Sequence, residues 1–207
     1  MESKYFVSDE NKIKYRVADS QKESSVLDNL LNLNSDDEIN KSEFEGFLRS
    51  ERIMTETLST QTVFDTKYIK NIHKYALYHL YSFAGEYRSV NISKEGFFFP
   101  PAKYIAENMD IFDKKILLRV IDDTSKKALI DNIALIHAEL LFIHPFREGN
   151  GRTARILANM MSYKAGYNRL KFEELIKPDK FKNYILAVQH AGLGKYDYMQ
   201  EVIQEIF

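Results

Sequence analysis

The chain has 207 residues, of which 29% are charged and 44% hydrophobic, and its formal net charge is −1 at pH 7. A chain of this length buries roughly 70% of its unfolded surface, enough for one domain. The balanced charge excludes a global electrostatic attraction to nucleic acid or membranes, and the absence of cysteine excludes disulfides and thiolate metal sites. No apolar run approaches the roughly 20 residues of a membrane span, and no signal-peptide core is present. We therefore expect a cytoplasmic bacterial protein, or an effector injected into another cell.

Residues 1–25 predict an N-terminal extension ahead of the main domain. Apolar and polar residues alternate in residues 4–18 around a polar turn at residues 9–11, which predicts a small β-hairpin. The polar stretch 19–25 is typical of a linker. Residues 26–207 are then one domain.

Helices are expected to follow. Residues 26–58 predict two helical pieces, with a break at residues 34–37 whose polar side chains can cap the second piece. Asp65 can cap the next helix, because apolar positions follow it with a period of 3.6 residues. These positions are Ile69, Ile72, His73, Ala76 and Leu80.

Two β-prone runs at residues 88–92 and 97–99 predict a second hairpin, joined by residues 93–96. Alternation allows only Phe97 and Phe99 on one face of a strand, so at least one of the three phenylalanines is expected to have another role.

The remainder predicts an all-α bundle carrying these hairpins. A helix should open at Pro100-Pro101, and residues 122–125 should cap the helix that precedes His144. Further helices are expected at about residues 171–177, 179–191 and 196–207, separated by Pro178 and by residues 192–194.

The most informative stretch is His144–Arg155. Apolar residues at helical spacing lead up to His144, which therefore ends a core helix. Pro145 forces a turn, because proline disfavours helical geometry in the residue before it. We expect His137, seven residues earlier, to be a core or supporting residue. His73, His79 and His190 have no spacing that indicates metal ligation.

The turn after Pro145 has the composition of an anion site. Gly149, Asn150 and Gly151 tolerate positive φ at low cost, so their amides can form a nest. The helical period resumes at Arg152 and runs to a cap at Gly166, which places the nest at a helix N-terminus.

Four side chains around this turn suggest a reaction. Arg152 and Arg155 lie in the first helical turn, where cations oppose the helix dipole unless an anion such as phosphate is bound. Glu148 offers a hard oxygen ligand for Mg²⁺, and His144 is a base that can titrate near neutral pH. Together they indicate phosphoryl or nucleotidyl transfer.

The stretch resembles the signature His-x-Phe-x-(Asp/Glu)-Gly-Asn-Gly-Arg-x-x-Arg of the Fic family, whose typical members transfer AMP from ATP to a hydroxyl side chain of a target protein. The resemblance covers roughly residues 60–192. It implies that His144 deprotonates the target hydroxyl, that Phe146 anchors the loop in the core, and that Glu148 holds Mg²⁺ between the α- and β-phosphates.

It further implies that Gly149, Asn150 and Gly151 form the anion hole, that Arg152 helps to hold the phosphates, and that Arg155 engages the γ-phosphate. A related branch that lacks the Gly-Asn-Gly-Arg run phosphorylates instead. This chain keeps the run, so AMP transfer is the function that the resemblance favours.

The second hairpin resembles the Fic flap, which follows an Ala-Gly-Glu-x-Arg segment and docks the target peptide as an added strand. A free strand edge can do this without demanding one target sequence. The residues that the resemblance assigns to this flap are Ile92, Ser93, Lys94, Glu95, Gly96 and Phe97.

The sequence allows more than one way in which the activity could be inhibited. Some Fic proteins carry an inhibitory helix of pattern (Ser/Thr)-x-x-x-Glu-(Gly/Asn). Glu45 and Gly46 fit its end, but Lys41 stands where Ser or Thr belongs. Glu45 is then either an internal inhibitor or part of the solvated face of a core helix. If no segment of the chain inhibits, a separate small inhibitory protein, as in a toxin–antitoxin pair, is expected.

Other functions remain open. Residues 152–177 could imitate a DNA-binding helix-turn-helix, but Glu173 and Glu174 dilute the basic face that this would need. A Fic fold that only binds nucleotide is a further alternative, as is transfer of another phosphate-containing group. The intact His144 argues against a pure binder. Arg147 has no assigned role and is expected to face solvent.

Overall fold

The computed structural model describes residues 26–94, 97–117 and 125–207. The predicted N-terminal hairpin, Glu95 and Gly96 of the predicted flap, and most of the predicted cap at residues 122–125 lie outside these ranges. Seven α-helices and two short strands are described: α1 (Asp36–Glu56), α2 (Thr66–Leu77), β1 (Ser93–Lys94), β2 (Phe97–Phe98), α3 (Ile105–Lys115), α4 (Lys126–Ile143), α5 (Asn150–Lys164), α6 (Pro178–Ala191) and α7 (Asp197–Ile206).

The prediction of an all-α bundle with a hairpin is confirmed. The centre of the bundle is α4, which contacts α3, α5, α6 and α7 and is buried on nearly every side. Within the described ranges, no helix combines the length and apolar character that crossing a membrane requires.

The prediction of two helical pieces in residues 26–58 is wrong for the first piece. Residues 26–34 form turns, and α1 is the single helix, capped by Ser35. The side chain of Asn29 explains the difference, because it donates to the carbonyls of Leu27 and Leu33 and accepts from the amide of Leu33. Such local bonds offer the backbone an alternative to helix.

The predicted cap at Asp65 is confirmed, since its carboxylate accepts from the amide of Tyr68 at the start of α2. The cap after α5 is also confirmed, because Gly166 follows the helix with a φ of 82°. The helix predicted at 171–177 is instead a short 3₁₀ turn at Phe172–Ile176, and Pro178 begins α6.

The second hairpin is present, with its first strand displaced from the prediction. The second strand lies within the predicted run at residues 97–99. Residues 88–92 are not a strand, and Ser93 and Lys94, expected in the turn, pair with Phe98 and Phe97. One reason is that the backbone amide of Arg88 donates to the carbonyl of Pro145, so this part of the chain is committed to the loop before α5.

Candidate active site

His144 ends α4 as predicted, in a left-handed conformation with a φ of 53°. Positive φ is uncommon for a residue with a side chain. Its Nδ1 lies 3.1 Å from the carbonyl oxygen of Leu141, which can only accept, so Nδ1 carries the proton. The Nε2 lone pair is therefore available, and no described residue hydrogen-bonds to it.

The surroundings of His144 favour its neutral form. Burial, together with the positive charges of Arg88 and Lys94, lowers the pKa of His144 to about 4, and the hydrogen bond to the Leu141 carbonyl opposes this shift. At neutral pH the ring is therefore a proton acceptor. The ring of Phe99 stacks on it, with 3.8 Å between the ring centroids.

Phe146 fixes the middle of the loop. Its side chain is fully buried and stacks on His73, with 3.9 Å between the ring centroids. His73 accepts from the amide of Gly85 at Nδ1 and donates from Nε2 to the carbonyl of Glu148. Burial lowers the pKa of His73 to about 4, so it is a neutral brace of the loop. No pattern in the sequence indicated this role.

The side chain of Asn150 closes the loop. Its Oδ1 accepts from the amide of Phe146 at 2.8 Å, and its Nδ2 donates to the carbonyl of the same residue at 2.7 Å. Helix α5 therefore begins at Asn150, two residues before the predicted start. Of the three residues that tolerate positive φ, Gly149 adopts it, at 77°, whereas Asn150 and Gly151 are already helical.

The two glycines differ in what surrounds them. A Cβ on Gly149 would lie 2.7 Å from the ring of Phe47, so this position also requires glycine for space. A Cβ on Gly151 would meet nothing closer than Nη1 of Arg155, at 4.0 Å. The first turn of α5 is therefore open at Gly151.

The start of α5 is rich in unused hydrogen-bond donors. The backbone amides of Asn150, Gly151 and Arg152 have no acceptor among the described residues, as expected for the first turn of a helix. Arg155 makes no hydrogen bond or ion pair within the same ranges. Amides and a guanidinium at a helix N-terminus are a suitable environment for phosphate.

Arg152, unlike Arg155, is hydrogen-bonded to two carboxylates. Its Nη2 donates to Oε2 of Glu43 at 2.5 Å and to Oε1 of Glu148 at 3.2 Å, and its guanidinium lies 4.5 Å from the centre of the Phe47 ring. Glu43 is buried, and its other oxygen accepts from the hydroxyl of Tyr81. One nitrogen of Arg152 is thus anchored, while Nε and Nη1 stay free of described partners.

Glu148 is partly exposed, with 43% of its side chain accessible. Its Oε1 accepts from the amide of Gly149 and from Arg152, and its Oε2 has no partner among the described residues. An accessible carboxylate oxygen beside a turn with unused amides suits Mg²⁺, which takes one or two carboxylates together with substrate oxygens and water.

Glu43 and Glu45 of α1 lie in different environments. Glu45 is exposed, which agrees with the solvated face of a core helix and disagrees with an internal inhibitor. The carboxylate that contacts the motif is that of Glu43, through Arg152, and no sequence pattern indicated this contact. His137 is a core residue as expected: it is buried and bonded to Ala154 and Tyr184.

The described part of the flap lies beside His144. Phe97 and Phe99 point inward, with Phe97 against Phe142 and Phe99 against His144, while Phe98 is 54% exposed. The alternation that places Phe97 and Phe99 on one face is therefore confirmed, while another role for Phe98 stays a prediction. Of the other residues assigned to the flap, Ser93 and Lys94 are exposed and Ile92 is partly buried.

Comparison with known proteins agrees with this geometry. Residues 63–162 match the sequence model of the Fic/DOC family. The chain is 35% identical over 100 residues to protein adenylyltransferase Fic of Nematostella vectensis, which is 48% of this chain and 23% of that protein. It is 29% identical over 119 residues to the probable protein adenylyltransferase y4lH of Sinorhizobium fredii, 56% and 61% of the two proteins. The chain thus spans less than two thirds of either relative.

A crystal structure of BepC from Bartonella tribocorum, with bound AMPPNP, has the same fold. The TM-score is 0.72 at 19% sequence identity, over 89% of this chain and 93% of that one. With the complete motif at the junction of α4 and α5, the match to the family model identifies residues 63–162 as a Fic/DOC family domain.

Proposed function

We propose that this protein transfers AMP from ATP to a hydroxyl side chain of a target protein and releases pyrophosphate. The observation that carries the proposal is the proximity of two unused functions on one short loop. His144 offers a lone pair on Nε2. Six residues further on, α5 begins with amides that have no acceptor among the described residues and with Arg155, which has no hydrogen-bond partner among them.

These groups suit an in-line displacement at phosphorus. The target Tyr, Thr or Ser hydroxyl attacks the α-phosphorus, its proton passes to Nε2 of His144, and the bond to the β-phosphate oxygen breaks as pyrophosphate leaves. The amides of residues 150–152 and Arg155 would supply donors to the negative charge on the phosphates. Catalysis by positioning and charge neutralisation is typical of phosphoryl transfer.

Glu148 would hold Mg²⁺, which would neutralise phosphate charge when bound. Arg152, fixed by Glu43, can direct its remaining nitrogens to the phosphates. The flap, with the exposed edge residues Ser93 and Lys94, would receive the target as an added strand beside His144. Both named relatives are described as adenylyltransferases, and BepC binds an ATP analogue, which supports ATP as the co-substrate.

The test uses the position of the label. The purified protein and a bacterial lysate are incubated with Mg²⁺ and ATP labelled in either the α- or the γ-phosphate, and intact mass is measured beside autoradiography. We expect label from the α-position alone and a mass gain of one adenylyl group. Labelling should be lost in His144→Asn. The matched control for that variant is His190→Ala, since His190 contacts Tyr198 on α7 and no residue of the motif.

Each other outcome has a meaning. Label from the γ-position would identify phosphoryl transfer and contradict the proposal. Binding of ATP without any label in protein would favour a nucleotide-binding module. Loss of labelling on addition of a small protein that copurifies would identify the separate inhibitor.

A further inference from the structure

Arg88 is a buried cation that bonds to main-chain carbonyls. Its side chain donates from Nε to the carbonyl of His144 at 2.7 Å, from Nη1 to Val90 at 2.7 Å, and from Nη2 to Pro100 at 2.6 Å, with Ile143 at 3.5 Å. Only 5% of the residue is exposed, and no ion pair is present within the described ranges. A buried charge without a carboxylate partner is uncommon unless its hydrogen bonds are satisfied.

The carbonyls that Arg88 binds belong to two different parts of the site. Ile143 and His144 form the C-terminal end of α4, where unsatisfied carbonyls and the helix dipole favour a cation. Val90 and Pro100 are the points at which the chain enters and leaves the flap. One planar guanidinium therefore ties both ends of the flap to the turn that carries the candidate base.

Ring stacking is a second link between the same two parts. Phe99 lies in the flap hairpin, next to Pro100, and its ring plane makes an angle of 23° with that of His144. The backbone amide of Arg88 also donates to Pro145 at 2.8 Å. The orientation of the His144 ring thus depends on where the flap lies.

We propose that Arg88 is a positioning residue that couples the flap to His144, so that a target strand docked on the flap meets a correctly oriented base. Arg88 does not contact substrate. Its catalytic consequence depends on the proposed AMP transfer, whereas the coupling itself does not. A merely structural Arg88 would stabilise the fold without determining the orientation of the ring.

Arg88→Lys is the informative substitution. Lysine keeps the charge, but its three donors leave from one atom and cannot reproduce a planar fork that reaches three carbonyls in different directions. Arg49→Lys is the matched control, because Arg49 donates to the carbonyls of Tyr75 and Ala76 at the end of α2 and contacts no residue of the motif. Phe99→Leu removes the ring contact and leaves the Arg88 bonds in place.

The first measurement is the imidazole NMR spectrum of the protein, with the His144 signals assigned from their absence in His144→Asn. In the wild-type protein and in Arg49→Lys we expect the ring-current shift that stacking on Phe99 produces. We expect this shift to be lost in Arg88→Lys and in Phe99→Leu, with circular dichroism unchanged. Affinity for Mg²⁺–AMPPNP should stay within about twofold, because no ligand contact is removed.

In the transfer assay, Arg88→Lys should lower kcat by roughly tenfold or more with little change in KM for ATP, as expected for a misplaced base. A ring-current shift of His144 equal to that of the wild-type protein in folded Arg88→Lys would overturn the coupling. If Arg88→Lys fails to fold, Arg88→Gln takes its place, and a wild-type His144 shift in that variant would overturn the coupling instead. Failure of AMP transfer in the wild-type protein would refute the proposed function and leave the NMR result to decide on Arg88.

Discussion

The two ends of the loop between α4 and α5 differ in how much of their hydrogen bonding the protein itself supplies. At the His144 end, the backbone and ring are bonded to Arg88, Leu140 and Leu141, and Phe146 is bonded through Asn150. At the α5 end, three successive amides and Arg155 have no partner among the described residues.

This difference indicates how the site divides its tasks. Under the proposed function, the candidate base His144 is oriented before any ligand arrives, so that little reorganisation is needed at the moment of reaction. The α5 end would be completed by the phosphates of the ligand, and until then Arg155 lacks the carboxylate partners that Arg152 has. Substitutions at the first end should therefore impair chemistry and stability, and substitutions at the second end should impair ligand binding.

The largest effect is expected at His144. In His144→Asn we expect the rate of transfer to fall by about 10²–10⁴-fold, the usual contribution of a general base, while Mg²⁺–AMPPNP still binds. Asparagine is chosen because it tolerates the φ of 53° better than alanine does. Transfer rate and calorimetric affinity are measured on the same preparations, and transfer at a near wild-type rate would contradict the assignment of the base.

Two buried histidines, His73 beside the loop and His137 within α4, predict that the free energy of unfolding depends on pH. Burial lowers the pKa of His73 to about 4 and of His137 to about 3, from an ordinary value of 6.5. Between pH 6.5 and these values the unfolded chain binds protons that the folded chain does not. The free energy of unfolding should therefore fall as the pH falls, by up to about 1.4 kcal/mol per pH unit for each histidine.

Urea denaturation from pH 7 to pH 4.5 measures this slope. His137→Gln is the matched variant, because an amide can still donate to Ala154 and accept from Tyr184, as the ring does, without titrating. We expect the slope of the free energy of unfolding against pH to be smaller in His137→Gln, by the contribution of one histidine. Parallel slopes for the two proteins would mean that His137 takes up a proton in the folded state.

At the open end, Arg155→Gln should separate binding from stability. We expect the affinity for Mg²⁺–AMPPNP to fall by roughly 10–100-fold, the range for a lost bond to a charged group. The ligand-free protein should unfold at an equal or slightly higher denaturant concentration, because a cation at a helix N-terminus opposes the dipole by a few tenths of a kcal/mol. A destabilised ligand-free protein would show that Arg155 already has a partner.

Local patterns were sufficient to predict much of this fold. The capped starts at Asp65 and Ser35, the end of α4 at His144 and the hairpin before α3 all follow from turn chemistry and helical period. The error at residues 26–34 arose because the side chain of Asn29 bonds the nearby backbone, a competition that apolar spacing does not reveal.

The residues that the sequence could not identify are those that act through distant parts of the chain. Glu43 lies 109 positions before Arg152, and Arg88 lies 56 positions before His144. A single carboxylate on an amphipathic helix, or an arginine in a β-prone run, is far more often exposed. Motif spacing identified the reactive groups, and only the folded chain shows what holds them.

The smallest effect is expected at Glu43. In Glu43→Gln we expect a loss of about 1–2 kcal/mol in the free energy of unfolding, because the amide can still bond to Tyr81 while the charge opposite Arg152 is lost. Arg152 is 27% exposed, and solvent screening keeps the loss modest. Glu45→Gln, on the exposed side of α1, should change stability by less than about 0.5 kcal/mol.

Nucleotide affinity then decides what the Glu43–Arg152 contact does. If Glu43 anchors Arg152 for the phosphates, Glu43→Gln should bind Mg²⁺–AMPPNP equally well or more weakly, since a less restrained guanidinium loses more freedom on binding. Affinity that rises by roughly tenfold or more would mean that Glu43 competes with phosphate for Arg152. The contact would then restrain the ligand-free site. Arg152 would have to leave Glu43 before it could bind phosphate, whereas Arg155 could bind phosphate directly.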